Sequence, residues 1–178
     1  MTQFEFLTVA FSILLAVTVT RLVEGLVAEI RSGQAYWVHA LWIVQTLMSA
    51  AGIWWAIWGF VDLEWNYVIF MMVLFGPMLL FTQALALVPR ELDAINWKDY
   101  FYNNIRFYML VSAATVLYTF EMSFLLNDLA LQLRIALIVM GISSLVFAFI
   151  KNQRAHEAYV LINFLLAGTT IAPALMSM

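Results

Sequence analysis

Three runs of residues constrain the fold more than anything else in the chain. Ala40 to Val61, Trp65 to Pro89 and Ala158 to Met178 contain no Asp, Glu, Lys or Arg. Each is long enough for a helix to cross a hydrocarbon core, which takes about 20 apolar residues. Three further apolar segments cannot cross without carrying charge. Glu5 and Arg21 bracket residues 6–20, about 22 Å of helix at 1.5 Å per residue. Arg106 and Glu121 bracket residues 107–120, and Arg134 precedes residues 135–150. The expected fold is therefore all-α: a polytopic membrane protein, a six-transmembrane-helix bundle with short loops. The spans fall at about 5–30, 36–60, 65–88, 104–126, 129–150 and 157–176, within one domain over residues 1–178. A soluble domain carries about 25% charged residues; this chain carries 11%, with 65% hydrophobic and a mean hydropathy of +0.94.

The connections are short. Arg31-Ser32-Gly33-Gln34 closes the first helix, with Gly33 suited to a left-handed cap. Asp62-Leu63-Glu64 joins the second and third. Pro89 to Asn104 is the one longer segment, and its Trp97, Tyr100, Phe101 and Tyr102 suit a headgroup region. Helices joined this tightly pack as antiparallel neighbours. Gly76-Pro77 predicts a kink in the third helix, because Pro removes a backbone hydrogen bond. No basic n-region precedes Arg21, so the first helix is expected to remain in the protein rather than leave as a signal peptide.

Lys and Arg set the orientation. Arg21, Arg31, Arg90, Lys98, Arg106, Lys151 and Arg154 gather on one side, and Arg134 alone lies on the other. The positive-inside rule then places both termini extracytoplasmic. The outer side carries Glu5, Asp62, Glu64, Glu121 and Asp128, an acidic face that would concentrate cations. The Trp54-Trp55-Trp58 cluster suits an outer aromatic belt.

Four groups of polar residues are candidates for function. Glu121 and Arg134 lie at equal distances from Asn127-Asp128. If that pair is a hairpin tip, the two charges share one depth and are expected to form a salt bridge. In the first helix, Glu5, Ser12, Thr20, Glu24 and Arg31 share one arc with Arg21 beside it. A polar stripe of this kind is expected to face protein or water, with Glu24 the carboxylate of an ion pathway and Arg21 its counter-charge. A third group gathers at the inner ends: Arg21, Glu24, His39, Asn103, Asn104, Arg106, Arg154, His156 and Glu157. It suits an anion, a proton or anionic lipid head groups at the cytoplasmic rim. Gln45 lies as far past the first turn as Arg21 lies before it, which would let them meet. Finally, Gln83 and Asn163 are costly to bury among the Ser and Thr of the core, and Asn163 is a pathway candidate.

A resemblance follows from other residues. Tyr36-Trp37-Val38-His39-Ala40-Leu41-Trp42, Trp54-Trp55, Gly76-Pro77, Pro89 and Tyr100-Phe101-Tyr102-Asn103-Asn104-Ile105-Arg106-Phe107 resemble a family of small uncharacterised bacterial six-helix inner-membrane proteins. Thr20-Arg21-Leu22-Val23-Glu24-Gly25-Leu26 is similar to that family's first helix. The resemblance implies a bacterial inner-membrane location and no activity.

Several classes drop out. There is no cysteine, and hence no disulfide or thiolate site. No HxxxH or ExxH spacing supports a metal site, and no catalytic motif or nucleotide loop is present, so neither cofactor nor metal nor enzymatic activity is expected. A pI near 5.2 argues against nucleic acid. The leading expectation is a small channel or transporter for protons or another small ion, acting as a homo-oligomer in the bilayer. The alternatives are a non-transporting accessory or lipid-binding module and a membrane-embedded lipid-modifying enzyme.

Overall fold

The computed structural model describes residues 2–92, 95–124 and 131–171. Six α-helices carry most of them: α1 Gln3–Arg31, α2 Trp37–Ala56, α3 Tyr67–Leu87, α4 Trp97–Met122, α5 Leu131–Phe147 and α6 Gln153–Leu166. A 3₁₀ turn, Ile57–Phe60, prolongs α2, and a π turn, Ala167–Ile171, prolongs α6. No strand occurs among the described residues. Among the described residues, three stretches are long and apolar enough to cross a membrane: Gln3–Arg31, Trp37–Phe60 and Tyr67–Leu87. Leu131–Phe147 is apolar but shorter.

Side-chain caps set several helix ends. Thr2 and Glu5 form a reciprocal capping box on α1, with Glu5 N donating to Thr2 Oγ1 (3.1 Å) and Thr2 N to Glu5 Oε2 (2.9 Å). Gly33 takes the left-handed conformation (φ 68°) that its turn requires. α4 begins at Trp97, well before the expected 104, because Asn96 Oδ1 accepts from Asp99 N (3.2 Å) and starts the helix inside the long connection. Asn152 likewise starts α6 early by accepting from Arg154 N (3.0 Å). The Asn127-Asp128 tip and the last part of the final apolar run lie outside the described residues.

The helices close a ring. α1 lies on α2 and α3, α3 on α4, α4 on α5; α6 returns to α2, and the π turn touches α5. Two apolar cores stack along this ring. One, at the α1–α2 turn, is built on Leu22, Trp42, Leu87, Trp97 and Phe101. The other, toward the α2–α3 connection, is built on Leu7, Phe11, Phe60, Leu80 and Met122. α1 faces both through Leu7, Phe11, Leu15, Thr18, Leu22, Gly25 and Glu29. That spacing of three and four is one helical seam.

Glycines allow two of the close approaches. A Cβ on Gly25 would stand 2.4 Å from Val88 Cγ2, and one on Gly76 would stand 2.8 Å from Tyr118 Cε1. Gly25→Ala is therefore expected to push α1 off the end of α3 and to cost about 1–3 kcal/mol, as overpacking does. Unfolding of the purified variant in detergent checks this; an unchanged midpoint would show that Val88 swings aside freely. Tyr118 has a second role. Pro77 has no N–H to give the carbonyl of Val73, four residues earlier. The Tyr118 hydroxyl donates to that carbonyl instead (3.4 Å).

Polar side chains share the interior with the two apolar cores, and apolar side chains cover much of the outside. Phe6, Val9, Ile13 and Val17 of α1 are exposed, as are Ile135, Val139, Ile142 and Val146 of α5. Buried at their expense are Glu29, His39, Gln45, Gln83, His156 and Asn163.

Candidate functional site: a chamber with a polar end and the network beneath it

A cavity of about 220 Å³ lies within the ring. Its lining runs along α2 from Gln45 past the helix end to Phe60, and along α4 from Tyr108 past Met122 to Ser123. Each run is about 22 Å long. α3, α5 and α6 add Gln83, Ser144 and Asn163, and α1 adds Phe11. No charged side chain appears among the described lining residues.

The polar groups concentrate at the chamber's end nearer the α1–α2 turn. Gln45 Nε2 donates to Asn163 Oδ1, and Asn163 Nδ2 donates to the Tyr159 hydroxyl (3.1 Å). That hydroxyl meets Ser144 Oγ at 2.8 Å and Ser143 Oγ at 3.1 Å. Across the chamber, Gln83 Nε2 donates to Thr115 Oγ1 (2.5 Å). Thr46 gives its proton to the Trp42 carbonyl (2.9 Å), so the Tyr108 hydroxyl donates to Thr46 Oγ1 (3.3 Å). One group is left over: Gln45 Oε1 is buried without a hydrogen-bond partner. Below this layer Trp42 packs on Tyr108 (5.4 Å between centroids) and Tyr159 (5.6 Å), and Tyr159 stacks on Phe147 at 3.9 Å. These rings form a floor.

Beneath the floor is a separate network around the last carbonyls of α3, which a helix cannot satisfy itself. Tyr100 donates to Ala86 O (3.2 Å). His39 Nε2 donates to Leu87 O (2.8 Å). Arg21 Nη2 donates to Val88 O (3.2 Å) and Pro89 O (2.6 Å). His39 Nδ1 lies 2.9 Å from Glu29 Oε2, both side chains being 0% exposed. Glu29 Oε1 accepts from Tyr36 N (2.9 Å). Because the Leu87 carbonyl has no proton, Nε2 must carry one. A single proton then lies between Nδ1 and Glu29, and the pair is neutral as a whole whichever partner holds it. Trp97 stacks on the imidazole at 5.5 Å and completes its burial. The arrangement ties α1, α2, α3 and α4 together.

Tyr36 extends the network outward. Its hydroxyl donates to Glu157 Oε1 (3.3 Å) and meets the Tyr102 hydroxyl at 2.8 Å. Burial first, and then Tyr102 and Glu157, push the Tyr36 phenol well above its ordinary value, so it stays a donor. Lys98 lies over its ring (5.7 Å).

The residues singled out in the sequence are placed as follows. Gln45 and Asn163 come together in the chamber, and Gln45 does not meet Arg21. His39 and Arg21 converge on the end of α3. Glu24 is exposed, as are Glu5, Thr20 and Arg31 of the same stripe, while Ser12 gives its proton to Thr8 O. Arg106 is exposed over the Phe149 ring (5.0 Å). His156 is buried; its Nε2 donates to Ile150 O (2.8 Å) and its Nδ1 has no partner. The expected Glu121–Arg134 bridge is not formed. Arg134 Nη2 donates to Ser123 O (3.1 Å), past the end of α4, and its guanidinium lies over Phe124 (4.6 Å). Glu121 is exposed. The physical reason is that orphan carbonyls at a helix C-terminus attract a cation as strongly as a solvated carboxylate does. Glu29 and His39 form a fully buried ion-pair contact.

Glu29 was not among the candidates drawn from the sequence. The signal was present: it continues the seam Thr18, Leu22, Gly25 by its next interval of four. No group of acidic or histidine residues suited to a metal occurs among the described residues. No protein-family model, curated protein or solved structure matches the chain, so the reading of the site rests on its own geometry.

Proposed function

We propose that this chain is a multi-pass membrane protein whose six helices enclose a passage for a small uncharged solute. The observation that carries this reading is the inverted distribution of polarity. Apolar side chains cover the outside of α1 and α5, and a largely apolar chamber without charge, polar at the end nearer the α1–α2 turn, runs about 22 Å through the interior. Lipid tolerates the first and would reject exposure of the buried amides and hydroxyls at that end. Orientation follows the basic residues: the α1–α2 turn and the network beneath the floor face the cytoplasm, and both termini lie on the other side. The location is a bacterial inner membrane, with the bilayer as the protein's solvent. Charge is arranged outside the chamber, on helix ends and surfaces. A chamber without counter-charge favours a neutral solute over a proton or metal cation, because an unpaired charge is costly to desolvate.

The test is flux into liposomes that hold the purified protein alone. Glycerol and urea are expected to equilibrate faster than in empty liposomes, measured by light scattering after an osmotic jump, while an imposed pH gradient holds. Collapse of the pH gradient without solute entry would restore an ion pathway. Absence of both fluxes would leave a non-transporting module, and either result overturns the proposal.

A further inference from the structure

The chamber has a polarity of its own, and the inference drawn from it rests on the chamber being the functional site. We infer that the chamber binds a short amphiphile that is uncharged and carries an O–H or N–H donor, of the class of primary amides and alcohols, with its head at Gln45 and its tail toward the α2–α3 connection.

Gln45 supplies the anchor. Its side chain is 8% exposed and its Nε2 is committed to Asn163 Oδ1. Asn163, itself 3% exposed, is fixed in turn by Tyr159, and Tyr159 by Ser144. With the chain of bonds running in this direction, Gln45 Oε1 is left buried, lining the chamber and unpartnered. A buried acceptor without a donor is the exception in proteins and calls for a partner. A ligand O–H or N–H meets that need.

The walls decide the rest of the molecule. Away from Gln45 the chamber is lined by Phe11, Ile53, Val73, Leu133, Leu137 and Met140, and the hydroxyls of Ser49, Thr119 and Ser123 there donate to backbone carbonyls of their own helices. These surfaces favour a tail over a second polar end. The absence of charged side chains among the described lining residues disfavours ammonium or carboxylate heads. Size sets the upper limit. A volume of about 220 Å³ is that of roughly seven waters at about 30 Å³ each. It is smaller than the pockets of about 300 Å³ and upward that take drug-sized ligands.

Saturation-transfer NMR on the full chain in lipid nanodiscs tests this with four probes of matched size: butanamide, pentan-1-ol, pentan-2-one and pentylammonium. Ser112→Leu serves as the blocked reference, since Ser112 lines the chamber and takes no part in the Gln45 chain of bonds. With the native protein, butanamide and pentan-1-ol are expected to give transfer above that reference, and pentan-2-one and pentylammonium are not. Gln45→Leu is expected to weaken the two donors roughly three- to tenfold, the loss of one hydrogen bond. Should Gln45→Leu fail to fold, the ranking of the four probes on the native protein decides alone. A ketone or ammonium that binds as well as the amide overturns the inference, as does equal binding by Gln45→Leu or no binding by any probe. Donor-selective binding without solute flux would overturn the transport reading and leave this assignment standing. Flux without donor selectivity would do the reverse.

Discussion

Replacing Glu29 with leucine is expected to lower the stability of the bundle by about 3–5 kcal/mol, the usual cost of removing one member of a buried charged pair. The substitution strands two groups at once. His39 Nδ1 loses its only partner, in a side chain 0% exposed, and Tyr36 N loses the acceptor that holds the start of α2. His39→Leu is expected to cost a similar amount, because it leaves a carboxylate buried and the Leu87 carbonyl uncapped. The double variant is the informative one. An apolar pair in place of a buried ionic pair is often neutral, so Glu29→Leu with His39→Leu should recover much of the loss. The double variant leaves the Tyr36 amide and the Leu87 carbonyl unpaired, which holds the recovery about 1–3 kcal/mol per group short of complete. Equilibrium unfolding in detergent, with all three variants and the native chain, measures the coupling. Additive losses would show that the two side chains act independently and that the network is not a unit.

The helices themselves were legible in the sequence because length and apolarity act directly. The charge-free runs from Ala40 and Trp65 became α2 with its 3₁₀ extension and α3 almost residue for residue. Helix starts were less legible. Asn96 and Asn152 each cap a helix by accepting a backbone N–H, and that local chemistry began α4 and α6 ahead of the apolar pattern. The face of α1 was the hardest part to read. Its conspicuous charges, Glu24 and Arg31, are exposed near one end of a 29-residue helix. A helix of that length is about 43 Å long, more than a hydrocarbon core of about 30 Å, so in the proposed membrane setting such residues would reach headgroups. The buried face is marked instead by small and apolar residues at intervals of three and four, and Glu29 hides among them.

Arginines followed one rule that the sequence did not reveal. Arg21 and Arg134 are both deep enough to suggest a carboxylate partner, yet each donates to carbonyls at the end of another helix, α3 for Arg21 and α4 for Arg134. Pairing arguments from sequence count side-chain charges. They overlook the four carbonyls that every helix leaves unpaired at its C-terminus. The candidate site was partly legible for a related reason. Asn163 stood out as a costly polar residue in an apolar helix and Gln45 as a partner for Arg21, but Gln45 and Asn163 lie 118 positions apart. Only the return of α6 to α2 shows that they satisfy one another and that one acceptor remains.

Trp42→Ala is expected to have the other large effect, on stability and passage together. Trp42 is 1% exposed and lies between Tyr108 and Tyr159, one turn below Gln45. Truncating a buried tryptophan costs about 3–5 kcal/mol, and here its indole nitrogen has no hydrogen-bond partner whose loss would add to that. The space it vacates joins the chamber to the layer around Tyr36 and His39. In the proposed orientation that removes the cytoplasmic floor, so glycerol entry into liposomes should become faster than in the native protein even though the fold is weaker. Trp42→Phe keeps an aromatic plug and should return both properties most of the way. A variant that loses stability but passes solute no faster would place the constriction elsewhere. The aromatic layer would then be packing alone, and the chamber a closed binding site reached only from the α2–α3 end.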